Sequence, residues 1–288
     1  MAKKKTTTKK KKTTKKTEAK EAPKEEPPKP KQIIFKKIRV NFWRTRLHAE
    51  ELGVYQSLKY QAKTPYFAKN FDIEGVVEID DEKKYIVAFN KDQWDEERNR
   101  LVIRLFTIME EKMGAQKGGN FKGGVEMSFA HSIVQSFEIR HPAPVFFVQL
   151  PTNSFMPRIV KGYRFIGTRW SFPLLPEEKG DKLQMVLCKG KIGVGRDYDI
   201  LIGKKKVARV DMQRVTKDVE MEIYDENLAK DKTFIMTLTL FGCICYFMKD
   251  AEKAVKEIVK PMEDTGTADF DLSKYELDLF KNPRMIRR

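Results

Sequence analysis

Cysteine and histidine are scarce in this chain, with three of each in 288 residues. Cys188, Cys243 and Cys245 make no disulfide framework, and none stands in a zinc spacing with His48, His131 or His141. A reducing, intracellular compartment follows as the expectation, and a histidine-built metal centre or catalytic triad is not indicated. No uncharged run reaches the about 20 residues that a bilayer-crossing helix needs. None precedes Ile33 either, so the N-terminus reads as neither secretory signal nor anchor. Catalytic signatures are missing as well. Residues 189–197 (KGKIGVGRD) hold Gly190, Gly193 and Gly195 but open no helix, so a turn with a bulge fits better than a dinucleotide fingerprint. Residues 114–124 (GAQKGGNFKGG) lack the GK[ST] order of a P-loop and read as a loop. Ser128, Ser132 and Ser136 lie near His131 and His141 without a nucleophile elbow. The expectation is a protein that is not an enzyme and carries no cofactor.

What the chain has is positive charge: 57 Lys plus Arg against 41 Asp plus Glu, a net of +16. Nine Lys fall within residues 1–17 with no acid among them. Residues 18–31 balance four Lys against four Glu and carry Pro23, Pro27, Pro28 and Pro30. Residues 1–31 therefore read as a disordered basic tail and an extended spacer. Such a tail suits nucleic-acid phosphates, reached by counterion release, or anionic lipid. It also suits plain solubility. The chain as a whole is 41% hydrophobic, enough for a real core.

From Ile33 the pattern changes. Residues 33–42 alternate as a strand, and residues 46–62 read as a helix. Phe71–Ile79 and Lys84–Phe89 form a hairpin around Asp80 and Asp81. Residues 91–113, with Trp94, Leu101, Leu105 and Ile108 as an apolar stripe, read as a surface helix. From Val125 to Tyr224 come short β-rich runs: Val125–Phe129, Ile133–Arg140, Val145–Leu150, Tyr163–Phe172, Gln184–Leu187, Tyr198–Ile202, Lys206–Val210 and Val219–Tyr224. Their spacing indicates a sandwich or barrel. Residues 233–248 (TFIMTLTLFGCICYFM) hold no charge, with Asp231 as a helix cap before them. A helix that is apolar all round is buried on every side, and the inside of a barrel is its natural place. Residues 250–260 read as a separate charged helix ended by Pro261, with a polar C-terminal tail beyond.

The stretch YDILIGKKKVARVDMQRVTKDVEMEIYDENLAKDKTFIMTLTLFGCICYF, residues 198–247, resembles the end of a tubby-like domain, in its phospholipid-scramblase and LURP-one-related branch. The shared features are the strand Tyr198–Ile202, the turn at Gly203, the strand Lys206–Val210, the strand Val219–Tyr224 with an acidic turn, and the uncharged helix. The resemblance implies an α+β, mainly β fold: a closed antiparallel barrel around a central hydrophobic helix, spanning 32–248. Residues 32–124 are either part of it or a separate α/β module, and 249–288 form a helix and tail. The resemblance also implies anionic phospholipid headgroups as ligands, and it makes Asp225, Glu226 and Asp231 calcium candidates. Their spacing is not that of an EF-hand, and a turn with a helix cap accounts for them as well.

The densest basic cluster of the folded part is Lys204, Lys205, Lys206, Arg209 and Arg214, which Lys189, Lys191 and Arg196 extend if their strands are neighbours. It reads either as a phosphate-binding patch or as a solvated hairpin tip. Cys243 and Cys245 read as buried inert thiols. The leading expectation is a non-enzymatic adaptor that binds anionic membrane lipid through the barrel surface, cytoplasmic or peripheral to a membrane. The rivals are a nuclear nucleic-acid or chromatin-associated protein acting through residues 1–17, a scramblase-like protein with 233–248 in lipid, and an assembly component docking through 263–288.

Overall fold

Strand Lys36–Phe42 (β1) turns Ile38, Val40 and Phe42 to one side, all fully buried, and Lys37 and Arg39 to the other. This period of two is what a sheet with one dry face requires. The same pattern recurs in β12 (Val219–Ile223), where Val219, Met221 and Ile223 are buried between Glu220 and Glu222. Between them come β2 (Phe71–Ile79), β3 (Glu82–Asn90), β4 (Val102–Thr107), β5 (Phe121–Ser128), β6 (Val145–Gln149), β7 (Arg158–Gly162), β8 (Arg169–Leu174), β9 (Gln184–Gly190), β10 (Tyr198–Ile202) and β11 (Lys205–Met212). The computed structural model describes residues 32–42, 71–90, 94, 100–108, 121–151, 153, 156–174, 182–191, 197–213, 218–266 and 276.

Each strand pairs antiparallel with its sequence neighbours, and β1 pairs with β12 from Lys36↔Ile223 to Val40↔Val219. The twelve strands therefore form a closed barrel with no free edge. Connections after odd-numbered strands lie at one rim and those after even-numbered strands at the other. Residues 32–124 supply β1 to β4 and the start of β5 to this wall.

The barrel interior is filled by α2 (Lys232–Thr265), capped by Asp231, whose side chain accepts from Phe234 N at 2.9 Å. Phe234, Leu238, Phe241, Cys245 and Phe247 are buried on every side, as a helix inside an apolar wall must be. Phe247 stacks on Phe89 and meets Trp94 edge-on, closing the interior at that level. At 1.5 Å per residue the helix is about 51 Å long, which exceeds the wall of five- to nine-residue strands. Beyond the interior its buried side narrows to Ala251, Ala254, Val255 and Val259.

Several expectations need correction. Residues 233–248 and 250–260 are one continuous helix of 34 residues, with Pro261 inside it. Proline's fixed φ suits a helix, and the turn it weakens is the last one before Gly266 takes the left-handed cap. Residues 102–107 of the expected 91–113 helix are β4. Here both faces are buried, Ile103 and Leu105 inward, Val102 and Phe106 on the other side. Two-sided burial erases the alternation that marks a strand. Residues 133–139 of the expected strand lie in α1 (Phe129–Ile139), and Tyr163–Phe172 breaks at 163–168, a loop between β7 and β8. In the Gly-rich stretch, residues 121–124 already belong to β5. The expected helix at 46–62 and the tail 1–31 lie outside the described residues.

α1 is held by serines. Ser128 caps it, and the buried Ser132 and Ser136 accept from the backbone N–H of Val145 at 2.8 Å and Ala143 at 2.9 Å. These polar contacts stand beside the buried Phe129 on the inner side of the helix, and Val134 and Phe137 are left exposed.

Candidate functional site

The predicted basic patch lies on the outer face of β9–β12, where the strands bring acids alongside it. Lys205 Nζ meets Asp225 Oδ2 at 2.6 Å, and Lys206 Nζ meets Asp199 Oδ1 at 2.7 Å. Lys191 reaches the same Asp199 at 3.8 Å, and Arg209 pairs with Asp211 and with Asp197 at 3.6 Å. Burial and the neighbouring Asp197 raise the Asp211 carboxyl above its usual range, a mark of crowded anions. Lys204 forms no ion pair among the described residues and stands at the tip of the β10–β11 turn. Arg196 and Arg214 lie outside the described residues.

The calcium candidates are committed to other work. Asp225 accepts from Asn227 N and Leu228 N besides Lys205, and that lysine above all holds its carboxyl below the usual range. Glu226 pairs with Lys230, and Asp231 caps α2. Among the described residues no group of three or more His, Cys, Asp or Glu is placed to hold a metal ion.

A row of charges crosses the strands on this outer face: Arg169, Lys189, Asp199, Arg209, Glu222 and Lys37, each the register partner of the next. Signs alternate along it except at its start. Arg169 and Lys189 stand opposite each other, like charge against like, where a cross-strand pair of this kind destabilises a sheet. Neither makes an ion pair among the described residues. Broken local rules of this kind occur at functional or strained sites.

Directly above this pair is the β7–β8 loop. Gly190 N donates to Thr168 O at 2.8 Å, and Arg164 Nη1 donates to Gly190 O at 2.7 Å. Gly167 has φ +85°, which a side chain adopts only with strain, and a Cβ there would meet Arg164 Nη1 at 3.1 Å. With Arg164 turned inward as a spoke, the loop shows Tyr163, Phe165 and Ile166 to solvent, at 56%, 88% and 54% exposure. His141 lies parallel to Tyr163, with ring centroids 6.2 Å apart. Sequence reasoning missed this site by placing a strand over it. A signal was there: residues 139–176 contain no Asp or Glu, yet hold Arg140, Arg158, Lys161, Arg164 and Arg169.

Two further places carry polar chemistry. Ser128 Oγ donates to Glu276 Oε1 at 2.7 Å and lies 3.1 Å from His131 Nδ1. This is not a relay for acyl transfer: the carboxylate holds the serine, not the histidine, and Ser128 is fully buried. Burial and the Arg158 charge lower the His131 pKa, favouring the neutral ring. Beside it, a cleft of about 500 Å³ runs between α1, β6 and β7, lined by His131, Val134, Glu138, Val145, Arg158 and Val160 among others.

Together these features define a closed twelve-stranded barrel threaded by its own helix, with a cation pair and an apolar tip at one rim. α2 is long and apolar enough to cross a membrane, but 78% of its most apolar window is buried inside the protein. Comparison with protein-family models, with curated proteins and with solved structures finds no match.

Proposed function

We propose that the protein is a non-enzymatic, tubby-like membrane adaptor that recognises anionic phospholipid headgroups through its barrel surface. The carrying observation is the opposed pair Arg169 and Lys189, two exposed cations in register on neighbouring strands, neither of which makes an ion pair among the described residues. A phosphate oxygen placed between them supplies the missing anion. The tubby-like assignment is supported by the residue 198–247 resemblance together with the barrel-and-helix architecture. The lysines of residues 1–17 add long-range attraction, worth about 1 kcal/mol per cation near an anionic surface.

Of the patch expected from sequence, Lys189 keeps this role, and Lys191 stands near it at the same rim. Lys205, Lys206 and Arg209 are engaged by their own acids and are poorer phosphate ligands. The test is flotation of the full chain with phosphoinositide-containing and with neutral vesicles at physiological salt. Selective flotation, weakened by Arg169→Glu with Lys189→Glu and kept by Lys204, Lys205 and Lys206→Ala, is the expected result. Binding that ignores the Arg169 and Lys189 reversal, or that goes to nucleic acid instead of vesicles, overturns it.

A further inference from the structure

We infer that the β7–β8 loop is a membrane wedge, with Phe165 and Ile166 entering the boundary between headgroups and acyl chains of an anionic bilayer. The inference rests on the headgroup reading above and assigns the depth and orientation of that same contact. Phe165 is the most exposed large apolar side chain among the described residues. Single exposed apolar residues are ordinary, but a contiguous patch marks an interaction surface. Here Tyr163, Phe165 and Ile166 fall within four residues, and the loop cannot tuck them away. The Arg164 spoke and the Thr168–Gly190 bonds pin its base, and the positive φ of Gly167 fixes its turn.

The surroundings specify a bilayer over a protein partner. Val134 and Phe137 of α1 add two more exposed apolar side chains on the same side of the barrel. α1 is tied to the loop by Gln135 Nε2 donating to Lys161 O at 3.0 Å, by Lys161 Nζ donating to Pro142 O at 3.0 Å, and by the Tyr163–His141 stack. Cations ring the tip: Arg140 at the end of α1, then Arg169 and Lys189. Residues 139–176 contain no acid, and Glu252, which approaches them, is engaged by Lys161 Nζ at 2.7 Å. An apolar tip inside a basic collar matches the layered chemistry of an anionic membrane surface, and Tyr163 at the tip's base suits the headgroup level. Another exposed apolar run, Ile33–Phe35, lies at the opposite rim, where Asp80 stands 3.4 Å from Lys36 Nζ and puts an acid beside the cations.

The test uses the full chain and four proteins: wild type, Phe165→Trp, Phe165→Ser with Ile166→Ser, and Arg169→Glu with Lys189→Glu. Vesicles of phosphatidylcholine with phosphatidylserine, plain or acyl-brominated, are the probe. On these vesicles, the Phe165→Trp emission in excess of wild type is expected to shift to the blue and to be quenched by bromine. The double serine variant is expected to bind about tenfold or more weakly, with the loss largest at high salt, where apolar contact dominates. Its far-ultraviolet spectrum should match wild type, because both side chains face solvent. If the serine variant binds as wild type does and the tryptophan stays in water, the wedge is overturned while the headgroup reading stands. If wild type binds no vesicles, both fall. If wild type sediments as a dimer and the serine variant as a monomer without vesicles present, the wedge is overturned in favour of a contact between copies.

Discussion

Arg164 reaches under its own loop to donate to the carbonyl of Gly190, 26 residues away, at 2.7 Å. A cation in the middle of an exposed apolar tip is thereby turned inward, and the tip's shape is tied to the end of β9. Replacing Arg164 by Met should cost about 1.5–3 kcal/mol, the range for a hydrogen bond made by a charged group, less what solvent at this half-open site returns. Faster amide exchange at Gly190 should accompany it. Gly167→Ala, at φ +85°, should cost about 1–2 kcal/mol. Unchanged melting of both variants would show that the loop is not held as described.

Glu126 on β5 is buried between Arg100 and Arg104, with Nη2 of each within 3.0 and 2.7 Å of its two oxygens. Burial pushes its carboxyl up, but Arg104 and Arg100 outweigh that and leave it below the ordinary 4.5. A lowered folded pKa means that its contribution is complete above the unfolded value and is lost as pH falls below about 4.5. Glu126→Gln should destabilise by about 3–5 kcal/mol at pH 7, because it strands a fully buried Arg100. The gap to wild type should narrow as pH drops from 5 to 3. Guanidinium titrations across that range measure it, and a gap that stays constant would contradict the pairing.

Lys205 and Lys206 sit in ion pairs on the outer wall, and Lys205 is mostly exposed. Alanine at either should change stability by at most about 1 kcal/mol. Lys205→Ala should also let the Asp225 carboxyl rise toward its ordinary 3.8, which carbon-detected NMR titration reads directly. An unmoved Asp225 would show that the pair does not form in solution.

The three thiols are fully buried, and burial raises those of Cys188 and Cys243 above the usual range. A thiolate is the reactive form. Ellman's reagent at pH 8 should therefore label none of them in the native protein and all three in guanidinium. Rapid native labelling of any one would show that α2 leaves the barrel on that timescale.

Strands β11 and β12 were legible because they alternate apolar with charged residues, as in Val219–Ile223. The β4 stretch was not, since Val102, Ile103, Leu105 and Phe106 are buried on both faces and their spacing also fits a helix. α1 was hidden for the opposite reason. Its inner face mixes Phe129 and Ile133 with the buried Ser132 and Ser136, so the apolar period is broken, and the Ser128 cap and the amides of Ala143 and Val145 supply what the pattern lacks. For the candidate site, the lysines of 204–206 were conspicuous as a run. The acids that engage Lys205 and Lys206, Asp225 and Asp199, become neighbours only through the pairing of the strands.

Sequence alone determined that an uncharged sixteen-residue segment had to leave water on all sides, for a protein interior or for lipid; its burial inside the barrel came from the structure. Sequence also carried short strands, whose period of two supplies one dry face each. The tertiary structure further decided the pairing of charges. Antiparallel register set Asp199 between Lys189 and Arg209, left Arg169 against Lys189 without an acid, and fixed Phe165 above them. The cross-strand partners are ten or twenty residues apart along the chain, and electrostatic energy depends on distance in space, which the order of residues along the chain does not contain.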